Sequence, residues 1–106
     1  MISSDVIRGY TDTIILSLLR NQPGYGYEIS RQISAITEQK YVMRETTLYS
    51  TCNRLEHNGY LRSFYGTESN GKRRTYYEIT PEGRAYLKEK IAEWELTKEI
   101  IEKIIR

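Results

Sequence analysis

The sequence predicts a mainly α-helical fold that carries one two-stranded β-hairpin and ends in a long helix. Three observations carry this expectation. Apolar residues recur at helical spacing in successive segments of the chain. Two runs rich in aromatic and β-branched residues, Tyr60 to about Tyr65 and Arg73 to Ile79, flank the turn signal Ser69-Asn70-Gly71. Thr80-Pro81-Glu82 then supplies an N-cap hydroxyl, a proline at the first helical position and an acid in the first turn.

Taken in order, Asp5 to about Arg20 reads as the first helix, with Ile7, Tyr10, Ile14, Leu18 and Leu19 at helical spacing. Gly9 weakens its first turn by about 1 kcal/mol relative to alanine. Asn21-Gln22-Pro23-Gly24 ends it. A second helix runs from about Gly26 to Thr37, with Tyr27 or Ile29, Ile33 and Ile36 as its apolar positions. Residues 38–45 read as a polar connection. A third helix begins near Thr46 or Thr47, either of which can serve as N-cap, and stops at Asn58-Gly59. Its inner stripe is Leu48, Cys52 and Leu55. The last helix runs from Pro81 to about Ile105. Leu87, Ile91, Trp94, Ile101 and Ile105 follow a heptad seam that Lys98 interrupts. Two helices joined by a short polar connection are a helix-turn-helix candidate.

Length and composition bound what such a chain does. At 106 residues it fits one domain. Surface burial is limited at this size, so a helix that hides its apolar seam in a partner is expected. No run of about 18 apolar residues is present, and the first residues lack an export pattern, so the expected location is the cytoplasm, with no membrane partner. Cys52 is the single cysteine, which excludes an intrachain disulfide and a thiolate zinc cage. Charge is unevenly placed. Residues 40–80 carry seven cations against four carboxylates, residues 1–39 carry three against four, and residues 81–106 carry six against six. The positive excess therefore sits in the helix and hairpin, which suits a polyanionic partner.

Catalysis finds no constellation. His57 and Cys52 stand five apart on one helix and point to different sides. No phosphate loop is present, and Gly24-Tyr25-Gly26 lacks the later glycine and acid of a dinucleotide site. An enzyme is not expected, nor a metal or other cofactor. The third helix is the better candidate. With Leu48, Cys52 and Leu55 inward, Thr46, Thr47, Tyr49, Ser50 and Asn53 face outward or sit where the helix begins. These short or flat side chains donate and accept hydrogen bonds, as base edges and phosphates require. A solvated helix face has the same composition. Lys72, Arg73 and Arg74 follow the hairpin turn, where cations reach phosphates or a minor groove, or simply protect an exposed edge.

In combination these motifs resemble the PadR family of bacterial transcriptional regulators. The matching stretches are Gly24-Tyr25-Gly26-Tyr27-Glu28-Ile29, Thr47-Leu48-Tyr49 through Arg54-Leu55-Glu56 to Gly59, Gly71-Lys72-Arg73-Arg74-Thr75-Tyr76-Tyr77, and Ile79-Thr80-Pro81-Glu82-Gly83. The single C-terminal helix resembles the short subfamily, and Glu93-Trp94 within it is similar to the multidrug-sensing members. Cys52 departs from the large aliphatic residue usual at its position.

The resemblance implies a homodimeric repressor. It implies a winged helix-turn-helix over residues 1–80 and a dimerisation helix over 81–106, within one compact unit. Thr47, Tyr49, Ser50 and Asn53 would lie on the recognition helix, and Lys72 to Arg74 on the wing. Trp94 would stack on a planar aromatic effector at the dimer interface, or only fill that interface. The expected partners are double-stranded DNA with a pseudo-palindromic operator, a second copy of the chain and such an aromatic molecule. The alternatives are a winged helix that binds another protein through tyrosine-rich faces, and a DNA-binding protein without an effector.

Overall fold

The computed structural model describes residues 2–67 and 70–106; Ser69, the first residue of the expected turn signal, lies outside them. Helix α1 is Ser4–Ile7, followed by a 3-10 turn at Arg8–Tyr10 and helix α2 at Thr11–Leu18. Strand β1 is Gly24–Tyr25, helix α3 Gly26–Ile36 and helix α4 Glu45–His57. Strands β2, Leu61–Thr67, and β3, Arg73–Ile79, precede helix α5, Pro81–Ile105.

The first helix is thus not continuous from Asp5 to Arg20. It breaks where Gly9 makes the α-helical backbone least favourable, and the chain tightens there into a 3-10 turn. Ser3 caps the short α1 by accepting a hydrogen bond from the Asp5 amide at 3.2 Å.

The sheet has three strands rather than the two of the expected hairpin. Its order is β1-β3-β2, all antiparallel, with β3 at the centre. Gly24 pairs with Tyr77 and Tyr25 with Tyr76. The helix ends at Leu18, before Pro23, and Gly24 begins an edge strand too short for periodicity to reveal. The hairpin register sets Leu61 opposite Ile79, Phe64 opposite Tyr76 and Thr67 opposite Arg73. Beyond β2, Asn70 accepts from the Lys72 amide at 3.0 Å, and Gly71 takes a φ of 84° that side chains disfavour.

The core forms where the helices meet the sheet. Ile15, Leu16 and Leu19 of the α2 segment, Ile29 and Ile33 of α3, and Leu48, Cys52 and Leu55 of α4 are all buried. Leu61, Tyr77 and Leu87 close it from the sheet and α5. The inner stripe expected for α4 is present, with Thr51 buried beside it. On α3 the expectation holds only for Ile29 and Ile33, since Tyr27 and Ile36 are exposed. The connection between α3 and α4 is not simply polar. Tyr41 and Met43 turn inward and are buried. The Thr37 hydroxyl fixes this path, donating to the Ile33 carbonyl at 2.8 Å and accepting from the Tyr41 amide at 3.2 Å.

Helix α5 starts as the sequence predicts. The Thr80 hydroxyl accepts from the Gly83 amide at 2.9 Å and donates to the Gly59 carbonyl at 2.6 Å. One threonine thereby caps α5 and ties it to the end of α4. Gly83 has a separate reason to lack a side chain: a Cβ there would stand 2.1 Å from the Tyr60 carbonyl oxygen. No helix among the described residues is long and apolar enough to cross a membrane.

Candidate nucleic-acid interface

Helix α4 begins at Glu45, and Arg44 occupies the N-cap position without a side-chain capping bond. Thr46 and Thr47 therefore lie inside the first turn and do not cap it. Glu45 sits in that turn, where a negative charge suits the helix dipole. Moving the start to Glu45 leaves both threonine side chains available to a partner. Thr46, Tyr49, Ser50 and Asn53 are exposed and Thr47 is half-buried. Positions 46, 49, 50 and 53 follow the three-and-four spacing of one helix face, opposite buried Leu48, Thr51, Cys52 and Leu55. The result is a stripe of hydrogen-bonding, uncharged side chains on a helix locked to the core from behind.

Tyr49 is less free than its place on this stripe suggests. Its ring lies across Gly26 at the start of α3, where an added Cβ would stand 2.4 Å from the Tyr49 oxygen. Gly26 is thus a seat for the tyrosine, a role sequence reasoning missed. The two residues are distant in sequence, and only the packing of α3 on α4 joins them.

The wing presents its cations unequally. Lys72 and Arg73 are exposed, and Arg74 is half-buried. The Arg73 guanidinium lies 4.3 Å over the Tyr65 ring, and that of Arg74 lies 5.3 Å over Tyr25. Aromatic faces attract cations and limit their wandering. Tyr25 meets Tyr76 edge-on at 5.3 Å, and Tyr76 stacks on Phe64 at 5.6 Å. Gly66 makes room for Tyr76, since a Cβ there would approach the ring to 2.5 Å. Tyr65 and Tyr25 were not expected to support the wing cations. The hairpin register sets Thr75 opposite Tyr65 and so leaves Arg73 on its diagonal, but Tyr25 reaches Arg74 only through the unforeseen strand β1.

Arg54, near the end of α4, points away from this stripe to Asp12 of α2. It donates to both carboxylate oxygens, at 2.9 and 2.5 Å. Burial pushes the Asp12 carboxyl up, but bonds from Arg54 and Tyr86, with the charges of Arg54 and Lys90, outweigh it and hold the pKa below the ordinary value. Cys52 is fully buried, and burial with the Glu56 charge nearby pushes its thiol up to about 12. Among the described residues no group of three His, Cys, Asp or Glu side chains is placed to hold a metal.

The expected seam on α5 divides. Leu87 is buried in the chain's own core and Ile91 packs partly against it. Trp94, Ile101 and Ile105 are exposed, together with Leu96, Ile100 and Ile104, which the heptad spacing leaves out. Trp94 receives Tyr10 edge-on at 5.1 Å, and Lys98 lies 5.7 Å from its ring.

Comparison with known proteins agrees with this architecture. The profile of the Transcriptional regulator PadR-like family matches residues 15–89. The chain is 46% identical over 102 residues to an uncharacterized protein of Lysinibacillus sphaericus, covering 96% of this chain and 94% of that one. A solved transcriptional regulator from Clostridium thermocellum is 60% identical, covers all of both chains and superposes with a TM-score of 0.90. A PadR family transcription regulator from Clostridium difficile is 33% identical over 92% of this chain and 99% of its own, with a TM-score of 0.79. With its helix-turn-helix, its wing and a family match across most of its length, the chain belongs to the PadR-like family, whose members are DNA-binding transcriptional regulators and not enzymes.

Proposed function

We propose that the protein is a homodimeric repressor that reads a pseudo-palindromic operator with α4 and holds flanking backbone with the wing. The observation that carries the DNA reading is the uncharged stripe Thr46, Tyr49, Ser50 and Asn53, exposed on a helix whose opposite face is buried. Such side chains suit base edges, while Lys72, Arg73 and Arg74 supply attraction to phosphate. Pairing is supported by the exposed Leu96, Ile100, Ile101, Ile104 and Ile105 on the far half of α5. A dimer of this kind sets two recognition helices in successive major grooves, roughly 34 Å apart. Repression follows the family resemblance and needs only occupancy of a promoter.

A gel shift on the protein's own upstream region tests the two parts separately. Tyr49→Ala lowers specific affinity by about tenfold and leaves random duplex nearly unaffected. The double variant Arg73→Ala/Arg74→Ala weakens both and flattens the salt dependence. Equal loss on both duplexes for Tyr49→Ala, or unchanged affinity for the double variant, overturns the assignment concerned.

We further propose that a planar aromatic effector binds at Trp94 and releases the DNA. Support comes from the half-exposed indole, with Tyr10 at its edge and Lys98 over it, on the half of α5 assigned to pairing. Titration with a varied panel of planar aromatic cations quenches Trp94, the single tryptophan, if this holds. Absence of quenching across the panel favours a regulator without an effector.

A further inference from the structure

One carboxylate joins three helices. Asp12 of α2 accepts both Arg54 nitrogens from α4 and, at 2.9 Å, the Tyr86 hydroxyl from α5. Its side chain is 13% exposed and that of Arg54 50%, so the carboxylate is the sheltered centre of the cluster. Tyr86 also stacks flat on Tyr60, with ring centroids 4.1 Å apart and planes 6° from parallel. Tyr60 lies just past Asn58 and Gly59 at the end of α4, and its amide donates to the Leu55 carbonyl of that helix at 2.8 Å. One tyrosine of α5 therefore grips the end of the recognition helix by two routes, its hydroxyl through Asp12 and Arg54, and its ring through Tyr60.

The two routes differ in kind. Apolar contact is non-directional and tolerates small rotations of one helix on another. A two-pronged guanidinium–carboxylate bond fixes direction as well as distance. The distinction has leverage because α5 continues as a rod. From Tyr86 to Ile101 the rise is about 22 Å, so a rotation of about 10° at Tyr86 displaces the seam by about 4 Å. In a dimer joined by that seam, the displacement reappears as a change in the separation of the two α4 helices.

We propose that Asp12, Arg54 and Tyr86 are positioning residues that set the separation of the paired recognition helices, and so make the protein discriminate operators by half-site spacing. The proposal rests on the dimeric reading above. It assigns these residues no contact with DNA.

The test is affinity across operators whose half-sites are moved apart or together by one base pair, with a random duplex alongside, all at one salt concentration. Tyr86→Phe removes only the hydroxyl and keeps the ring that stacks on Tyr60. The wild type is expected to favour one spacing by about tenfold, and Tyr86→Phe to narrow this to about threefold or less with random-duplex affinity unchanged. Asp12→Asn narrows it in the same way; should that variant fail to fold, Tyr86→Phe alone decides. Tyr86→Phe with the full wild-type preference overturns the proposal, as does an equal loss on every duplex, which is the mark of a merely stabilising bond. A wild type indifferent to spacing overturns the dimeric reading itself, an outcome distinct from either.

Discussion

The two halves of α5 are one unbroken helix with opposite surroundings. From Pro81 to Ile91 it lies against its own domain: Gly83 fits only because it has no side chain, Leu87 is buried, and Tyr86 reaches both Asp12 and Tyr60. From Ala92 to Ile105 the apolar residues instead face outward, with Ile104 and Ile105 the most exposed. The helical repeat is the same in both halves. What differs is whether α2 and the sheet are there to receive it. Helical spacing identifies an apolar face, and only the neighbouring elements decide whether that face belongs to the fold or to a partner.

The largest effect is expected at the far half. Ile101→Asp with Ile105→Asp places charge in the proposed interface without touching the domain's core. We expect a monomer by sedimentation and a loss of operator affinity of about a thousandfold, near 4 kcal/mol. The domain's thermal transition should survive. A variant that stays dimeric at micromolar concentration shows that pairing uses another surface.

The near half should respond in the opposite sense. Leu87→Ala removes a buried side chain and costs about 3 kcal/mol of folding stability, read by denaturant unfolding. Dimerisation of the fraction still folded should be unchanged. Should Leu87→Ala instead weaken pairing at constant stability, the boundary between the halves lies earlier than Ile91.

The smallest expected effect sharpens the boundary itself. The depressed Asp12 pKa means the folded state favours the carboxylate, so its contribution is complete above the ordinary value of 3.8 and is lost as pH falls through the lower folded value. Arg54, Tyr86 and Lys90 are the groups that hold it down. Because Arg54 is half-exposed and screened, Asp12→Asn costs only about 1 kcal/mol at neutral pH. The gap between the two proteins should close in acid below the ordinary aspartate value. A gap that persists there assigns the loss to packing.

Much of this fold is legible in the sequence. The inner stripe of α4, the start of α5 at Thr80-Pro81 and the span of β3 each follow from local patterns that survive folding. Other features depend on pairs far apart in the chain. Strand β1 has only two residues, too few for an alternation to show, and exists because β3 offers an edge. Tyr41 and Met43 lie in a connection without helical or strand spacing, so nothing local marks them as buried. The exposed stripe of α4 is readable because its inward counterpart is. Its dependence on Gly26 and the bond from Arg54 to Asp12 are not, since neither partner carries a local signal of the other.

Cys52 has a practical consequence. The single thiol is fully buried and is held protonated well above neutral pH, so it reacts poorly with maleimides and other thiol reagents while the protein is folded. A cysteine introduced at an exposed position on α4 can therefore be labelled alone, with the native sulfur left in place. Paired probes on two copies would then act as a molecular ruler across the proposed dimer, reporting the distance between its two α4 helices in solution as DNA or an aromatic ligand is added.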